Sequence, residues 1–339
     1  MLPQREYDEI KAELECENPL ILMHDDPDGL SSFLLLRRKM GKGHGALVKT
    51  NPMIDNKYMI KVEEYKPDKI FIVDIAVVQQ EFIDSAKTPI VWIDHHEPLD
   101  RKKVKYYNPR IHKKDAYFPA TYLCYQAVKQ DLWIAMVGCV GDWFLPEFAK
   151  EFSKEYPDIL SPEVNNPDDA MFRSKLGELV RLFSFVIKGK TSDAMKCVKI
   201  LTRVKSPYEI LNQTTAEGKF LYKRYQSFNE IYQKLLKDAK SEITKEHLFV
   251  FCYKEQTSFS SDLANELLYH NPDKFIIIAR EKNGEFKMSL RSRTTPVLPR
   301  LKKALEGVDG YGGGHEYACG ASVKESDFEK FKEQLRKQL

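Results

Sequence analysis

Four short apolar runs punctuate the first part of the chain, and each stops at acids or histidines: LILM before His24, FIV before Asp74, IVWI before Asp94 and VGCVG before Asp142. Runs this short, separated by amphipathic stretches, predict buried strands alternating with helices. In order, the pattern predicts a helix over residues 5–15, a strand at LILM, and a helix through LSSFLLLRRKM (30–40). It then gives strands at GALVKT (45–50) and KIFIVDIA (69–76), a helix at QQEFIDSA (79–86) and a strand at PIVWIDHH (89–96). A weak strand near 104–107 and helices over 119–129 and 132–142 follow, with Pro119 suited to a first helical turn. Strand and helix in alternation predict a parallel sheet with right-handed crossovers. Polar residues just past the apolar runs then fall at one edge of that sheet, where open α/β folds bind ligands.

The period changes near residue 150. Residues 151–245 hold long patterns such as FRSKLGELVRLFSFVIKG and GKFLYKRYQSFNEIYQKLLKDAK, which read as amphipathic helices without strand signal. From 246 the strands return at HLFVFCY, DKFIIIAREK and EFKMSLRSR, with Asn283-Gly284 where a tight hairpin turn belongs. A helix at SSDLANELLYH separates the first two, and SDFEKFKEQLRKQL closes the chain as a helix. The expected organisation is therefore an α/β protein with an N-terminal parallel-sheet domain (1–150), a helical connector (151–245) and a smaller C-terminal α/β domain (246–339).

Composition narrows this little. With 339 residues, 42% hydrophobic and 30% charged, the chain suits two ordinary globular domains. A net charge of +3 announces no nucleic-acid binder, so any basic surface must come from local clusters such as Arg37-Arg38-Lys39, Arg101-Lys102-Lys103 or Arg291 with Arg293. Most such clusters are solvated faces. Six scattered cysteines form no C-x-x-C pair and read as free thiols in a reducing compartment. The charged N-terminus lacks a signal peptide's apolar core, and no run reaches a membrane span. A cytoplasmic protein is expected.

The chemistry lies in the punctuation. His24, Asp26, Asp28, Asp74, His95 and Asp142 offer nitrogen and oxygen donors without thiolate, a set for Mn²⁺ or Mg²⁺ rather than structural zinc. Two such ions about 3.5 to 4 Å apart can share a bridging carboxylate, with Asp74 the natural bridge, and supply hydroxide for phosphoester hydrolysis at neutral pH. An EF-hand loop starting at His24 is excluded, because its closing Glu would fall at Leu35. Helix capping could account for one of Asp25, Asp26 and Asp28, but leaves His95-His96 unexplained. The run Gly312-Gly313-Gly314-His315 reads either as a flexible loop or as a phosphate or nucleotide contact.

In this order, H-x-D-x-D-G at 24–29, Asp74, Asp94-His95-His96 and Gly141-Asp142 resemble the four motifs of the DHH phosphoesterase superfamily. Ser289-Leu290-Arg291-Ser292 and Gly312-Gly313-Gly314-His315 are similar to the substrate-binding DHHA1 domain of its nuclease branch. The resemblance implies one metal on His24, Asp26 and Asp74 and another on Asp28, Asp74, His95 and Asp142, with Mn²⁺ preferred and Mg²⁺ accepted. His96 would touch the scissile phosphate or lie just outside the metals, and Asp94 would orient the histidines. Arg291 and His315 would grip a substrate phosphate, the three glycines would admit its oxygens to the backbone, and Ser289 and Ser292 would contact the nucleic-acid backbone. Pro27 stands where the family often has a small residue, which stiffens the loop without removing a ligand. No region after residue 339 forms the oligonucleotide-binding barrel of bacterial RecJ enzymes, so high processivity is not expected. The layout is closer to archaeal RecJ-like nucleases, including the type associated with the Hef helicase.

The implied function is a metal-dependent exonuclease releasing mononucleotides from single-stranded DNA or RNA in a cleft between the domains. An oligoribonuclease or small-nucleotide phosphoesterase, acting on short oligonucleotides, a 3′,5′-bisphosphate nucleotide or a cyclic dinucleotide, is the enzymatic alternative. A non-catalytic replication or repair scaffold is the third. The helical connector is a candidate dock for a repair helicase or replication protein. Polarity, DNA or RNA preference and oligomeric state are not legible in the sequence.

Overall fold

A computed structural model describes residues 1–49 and 53–339 as two compact units, Met1–Tyr225 and Gln226–Leu339. The first is organised on a five-stranded sheet of β1 (Pro19–His24), β2 (His44–Val48), β4 (Lys69–Val73), β6 (Ile90–Ile93) and β7 (Lys105–Tyr107). The spatial order is β2-β1-β4-β6-β7, and every pairing is parallel. Two short strands, β3 (Met53–Ile54) and β5 (Val77–Val78), pair separately. Leu20 to Met23, Ile70 to Val73 and Ile90 to Ile93 are buried, as strands covered by helices on both faces must be. The expected strand at 45–50 forms over His44–Val48, and Thr50 lies outside the described residues.

The chain runs from β1 outward to β2 and then returns to β4 on the other side of β1. The carboxyl ends of β1 and β4 therefore flank the switch point where such sheets open a ligand crevice. Helix Pro27–Met40 leaves β1 there, with Asp26 as its N-cap, and packs against helices Ala120–Val128 and Leu132–Gly141. Pro119 precedes the helix at 120–128 as an extended residue rather than occupying its first turn.

Beyond residue 150 the amphipathic helices bury their apolar sides. In Lys175–Val186, Leu179, Leu182, Phe183 and Val186 are fully buried, and the helix packs on Leu132–Gly141. Helix Thr191–Leu201 packs on the edge strand β2. Residues 151–225 thus share the core of the first unit, and the division between units falls inside the 26-residue helix Ala216–Ser241. The boundaries at 150 and 245 mark changes of sequence character; the division at 225 marks where packing contacts thin out.

The second unit is a mixed sheet in the order β11-β12-β10-β9-β8, from β8 (Leu248–Tyr253), β9 (Phe275–Lys282), β10 (Glu285–Arg291), β11 (Gly310–His315) and β12 (Ala318–Lys324). β8 and β9 are parallel and joined through helix Ser260–His270. β9 and β10 form a hairpin whose Asn283 and Gly284 have φ of 55° and 74°, the positive angles a two-residue turn matching strand twist requires. One face buries Phe275, Ile277, Leu290, Cys319 and Val323 beneath helices Val297–Ala304 and Phe328–Arg336. Helix Ser260–His270 covers β9 and β10 on the other.

GYGGGH is neither loop nor turn; it is β11, an exposed edge strand paired along its length with β12. Glycine-rich sequence carries almost no strand signal, so this pairing is imposed from outside the segment. The overall order is the expected one: parallel-sheet α/β domain, helices, then a smaller α/β domain.

Candidate metal centre and phosphate site

Each acid or histidine at the first sheet's edge is aimed by a local constraint. Asp26 accepts the backbone N–H of Gly29 at 2.9 Å through Oδ1, the N-cap bond of helix Pro27–Met40. Its other oxygen is then left toward His24, 2.8 Å from Nδ1. Gly29 is required by close approach: a Cβ there would lie 2.5 Å from the His24 carbonyl oxygen. Asp28, two residues on, is 1% exposed and accepts the N–H groups of Ala120 and Thr121 at 2.9 and 2.7 Å. One carboxylate thus serves the N-terminal turns of two helices, where negative charge is favoured.

Asp74 follows β4 with φ of 56°, a left-handed conformation that Asp tolerates better than most residues. Its two oxygens face different histidines, Oδ2 3.2 Å from His24 Nδ1 and Oδ1 3.3 Å from His95 Nε2. His95 Nε2 is also 3.7 Å from Asp142 and 3.8 Å from Asp28. Asp142 ends helix Leu132–Gly141, against the negative end of the helix dipole. Stability alone would not place an acid there.

Three groups of potential metal donors result: His24, Asp26 and Asp74; Asp28, His95 and Asp142; and Asp74, His95 and His96. Within each, the donor atoms lie within 4.8 Å of one another. Asp74 and His95 belong to two groups each, so the clusters are adjacent rather than separate. Asp94 is fully buried beside them, accepting from His96 through Nδ1 (2.8 Å) and the backbone N–H (3.0 Å). Asn108 and Tyr106 hold the other side of Asp94, both at 3.4 Å, and Asn108 also donates to the His96 carbonyl at 2.9 Å.

The electrostatics show a surplus of negative charge. Burial, with the neighbouring Asp74 and Asp142 charges, holds Asp28 well above the carboxylate range. Burial also dominates at Asp142, which is pushed up to about 6 against the pull of His95. Asp74 goes the other way: burial opposes its charge, but His24 and His95 hydrogen bonds hold it well below the usual range. For His24 and His95 burial disfavours the cation, and the surrounding carboxylates more than offset it, leaving both well above ordinary imidazole. The histidines act as the counter-cations of the metal-free cluster. A divalent ion would supply the same charge, and the oxygen and nitrogen donors fit Mn²⁺ or Mg²⁺.

Residues without any signal in the pattern also join the site. Tyr117 donates its hydroxyl to Asp142, 2.9 Å from Oδ2 and 2.6 Å from the backbone oxygen, and its ring meets His95 edge-on at 5.8 Å. Asn108, Tyr106 and Thr121 were equally unmarked. They reach the centre only because β7 and helix Ala120–Val128 pack beside β6 and helix Pro27–Met40.

In the C-terminal unit, Arg291, Ala318 and His315 pair across β10, β12 and β11, and Ser289, Gly320 and Gly313 form the next row. Directly opposed residues share a face, so Arg291 and His315 lie on the same side. Arg291 donates to Asn265 Oδ1 at 2.9 Å and to the carbonyls of Leu290 and Cys319 at 3.0 and 3.1 Å. Burial pulls its guanidinium down to about 10. Ser289 meets Ser261 at 3.0 Å, while Ser292 is buried and accepts from Thr295 N–H within its own turn. Gly312 faces the opposite side, where a Cβ would sit 2.9 Å from that of Ala321 and 3.0 Å from Leu301. Its reason is packing; Gly313 has open space instead.

Residues 18–140 match the DHH family N-terminal domain and residues 248–339 the DHHA1 domain. Among solved structures the chain is similar to RecJ of Thermus thermophilus in complex with Mn²⁺, with 15% identity and a TM-score of 0.70 over 98% of this chain and 54% of that one. The chain therefore spans about half the length of that RecJ. It is also similar to an exonuclease RecJ bound to manganese, at 16% identity, TM-score 0.63 and coverage of 98% and 94%. A pGpG-specific phosphodiesterase, PggH of Vibrio cholerae, aligns at 14% identity, TM-score 0.50 and coverage of 95% and 98%. No curated protein matches the sequence significantly. With a DHH domain followed by a DHHA1 domain, the chain belongs to the DHH/DHHA1 group of the DHH phosphoesterase superfamily and has a RecJ-like fold.

Proposed function

We propose that this protein is a divalent-metal-dependent phosphodiesterase that removes mononucleotides from one end of single-stranded DNA or RNA. The observation that carries the reading is the set of adjacent donor clusters at the sheet edge, where Asp74 directs one oxygen to each of the two histidines. His24, Asp26 and Asp74 would hold one ion, and Asp28, Asp74, His95 and Asp142 the other, with Mn²⁺ favoured. When bound, the ions would lower the pKa of water and offset charge developing on the phosphoryl oxygens.

The chain's own residues then divide the remaining work. Asp94 fixes the His96 ring through Nδ1, and although burial disfavours the cation, Asp94 holds His96 above its ordinary value. A protonated His96 would donate to a non-bridging oxygen of the scissile phosphate as negative charge grows there. Tyr117 holds the Asp142 carboxylate in one orientation. Arg291 and His315 would take the phosphate of a neighbouring nucleotide, with the Arg291 fork already fixed by Asn265.

The test is a Mn²⁺ time course on single-stranded DNA and RNA labelled separately at each end, with Asp74→Asn as control. Immediate release of labelled mononucleotide from one end, and a stepwise ladder from the other label, is expected. Turnover of dinucleotides or bisphosphate nucleotides alone would move the assignment to a small-nucleotide phosphoesterase, a reading favoured by the fold shared with the pGpG phosphodiesterase over nearly the whole chain. No turnover of any substrate with Mn²⁺ would leave the scaffold reading.

A further inference from the structure

The open part of the C-terminal sheet carries an aromatic ring for which the phosphate grip has no use. β11 pairs with β12 so that Tyr311, Ser322 and Lys287 form the row that follows Gly313, Gly320 and Ser289. Cross-strand register puts Tyr311 on the same face as Gly313, His315 and Arg291. Tyr311 is 69% exposed, the highest value among the exposed large hydrophobic residues, and it gains little for the fold there. Between it and the Arg291 row lie two exposed glycines, Gly313 and Gly320; a Cβ on Gly313 would meet nothing within 4 Å. The face is thus a shallow floor of small residues with an aromatic ring at one end and a fixed guanidinium at the other. Lys287, also exposed, adds a cation in the tyrosine's own row.

We propose that Tyr311 is a stacking platform for a nucleobase of a single-stranded oligonucleotide whose neighbouring phosphate is held at Arg291 and His315. Exposed aromatics beside cations bind single strands because every base has a π-face and every linkage a charge. Four residues of strand separate Tyr311 from His315 by about 13 Å. Stacked nucleotides rise about 3.4 Å along a strand and extended ones roughly twice that. The stacked base therefore belongs to a nucleotide two to four places from the gripped phosphate. A mononucleotide or bisphosphate nucleotide is too short to use it. The proposal rests on the phosphodiesterase reading and deepens it: the site selects chains of several nucleotides.

The experiment compares the full-length protein with Tyr311→Ala and Tyr311→Phe. Binding of fluorescein-labelled hexanucleotides is followed by anisotropy in EDTA, and kcat/KM for hexamer and dinucleotide is measured in Mn²⁺. Tyr311→Ala is expected to weaken hexamer binding about tenfold, the size of one base stack. The hexamer-to-dinucleotide ratio of kcat/KM should fall in step, and Tyr311→Phe should restore both. Unchanged hexamer binding in Tyr311→Ala, a ratio that does not move, or failure of Phe to restore what Ala loses would each overturn the proposal, as would absence of hexamer binding by the unmodified protein. Tyr311-dependent binding without hydrolysis of any oligonucleotide would support the platform while removing the phosphodiesterase reading.

Discussion

The two regions read as chemical sites are built on opposite principles. At the edge of the first sheet, acids and histidines are packed inward: Asp28, Asp74 and Asp94 are all but inaccessible, and each carboxylate leans on a backbone N–H or an imidazole. On the uncovered part of the second sheet small residues and exposed rings predominate, and at its margin Arg291 is tied in place by an amide and two carbonyls rather than by a carboxylate. A buried cluster concentrates charge in low dielectric, where it acts strongly on whatever bond is brought to it. An open face contributes many weak contacts and sorts substrates by length and charge. The first should govern kcat, the second KM.

The largest expected effect breaks the first region. Asp74→Asn keeps the side-chain volume and tolerance for positive φ but removes the charge that Asp74 brings to two of the three donor groups. Its kcat should fall by on the order of 10³ on every substrate, with a thermal melt and circular dichroism close to the unmodified protein. Retained activity would sink the shared-carboxylate assignment.

Tyr117→Phe removes one hydroxyl and leaves the ring against His95. Loss of a hydrogen bond that orients a metal-binding carboxylate typically costs about 10- to 100-fold, so Mn²⁺ affinity or kcat at limiting Mn²⁺ should drop in that range. Excess metal should recover activity in part; a loss that no Mn²⁺ concentration relieves would show that Tyr117 has another role.

The titration of His24 and His95 sharpens the same region. Both hold protons above the ordinary imidazole range in the metal-free protein, because carboxylate charge outweighs burial. A metal ion must displace those protons, so apparent affinity should rise with pH, by up to about tenfold per unit for each proton released, until the raised values are passed. Calorimetry of Mn²⁺ binding in buffers of different ionisation enthalpy measures the protons directly. Affinity flat between about pH 6 and 8 with no proton release would contradict the protonated histidines.

On the second region, Arg291→Lys retains charge but loses the planar fork held by Asn265. KM for oligonucleotides should rise about three- to tenfold with kcat nearly constant. A change in kcat alone would mean the two regions are not divided as described.

Much of the clustering of acids and histidines at the sheet edge was visible in the sequence because these residues sit directly after apolar runs, and strand ends are fixed by local pattern. His24, Asp74 and Asp94-His95-His96 were placed by counting alone. Asp142 was marked by its glycine neighbour, although it ends a helix rather than a strand. Tyr117 and Asn108 lie in ordinary polar stretches and Thr121 in an apolar helix, and nothing local distinguishes them. The basic run Arg37-Arg38 shows the converse. Arg38 is spent on Asp131 at 2.7 Å and on the Val204 carbonyl, and Arg37 on the Gly43 carbonyl at 2.9 Å, so that cluster is structural.

By itself the sequence determined the alternation of strands and helices, the parallel first sheet, the Asn283-Gly284 hairpin and the identity of the acids and histidines. These follow from periodicity, turn chemistry and side-chain type, which act over a few residues. Tertiary structure alone decided that Asp74 turns one oxygen to each histidine, that Asp28 serves two helices, and that GYGGGH becomes an edge strand with Tyr311 on the face of Arg291. Those facts depend on pairing and packing between segments distant in the chain, where local preference has no information.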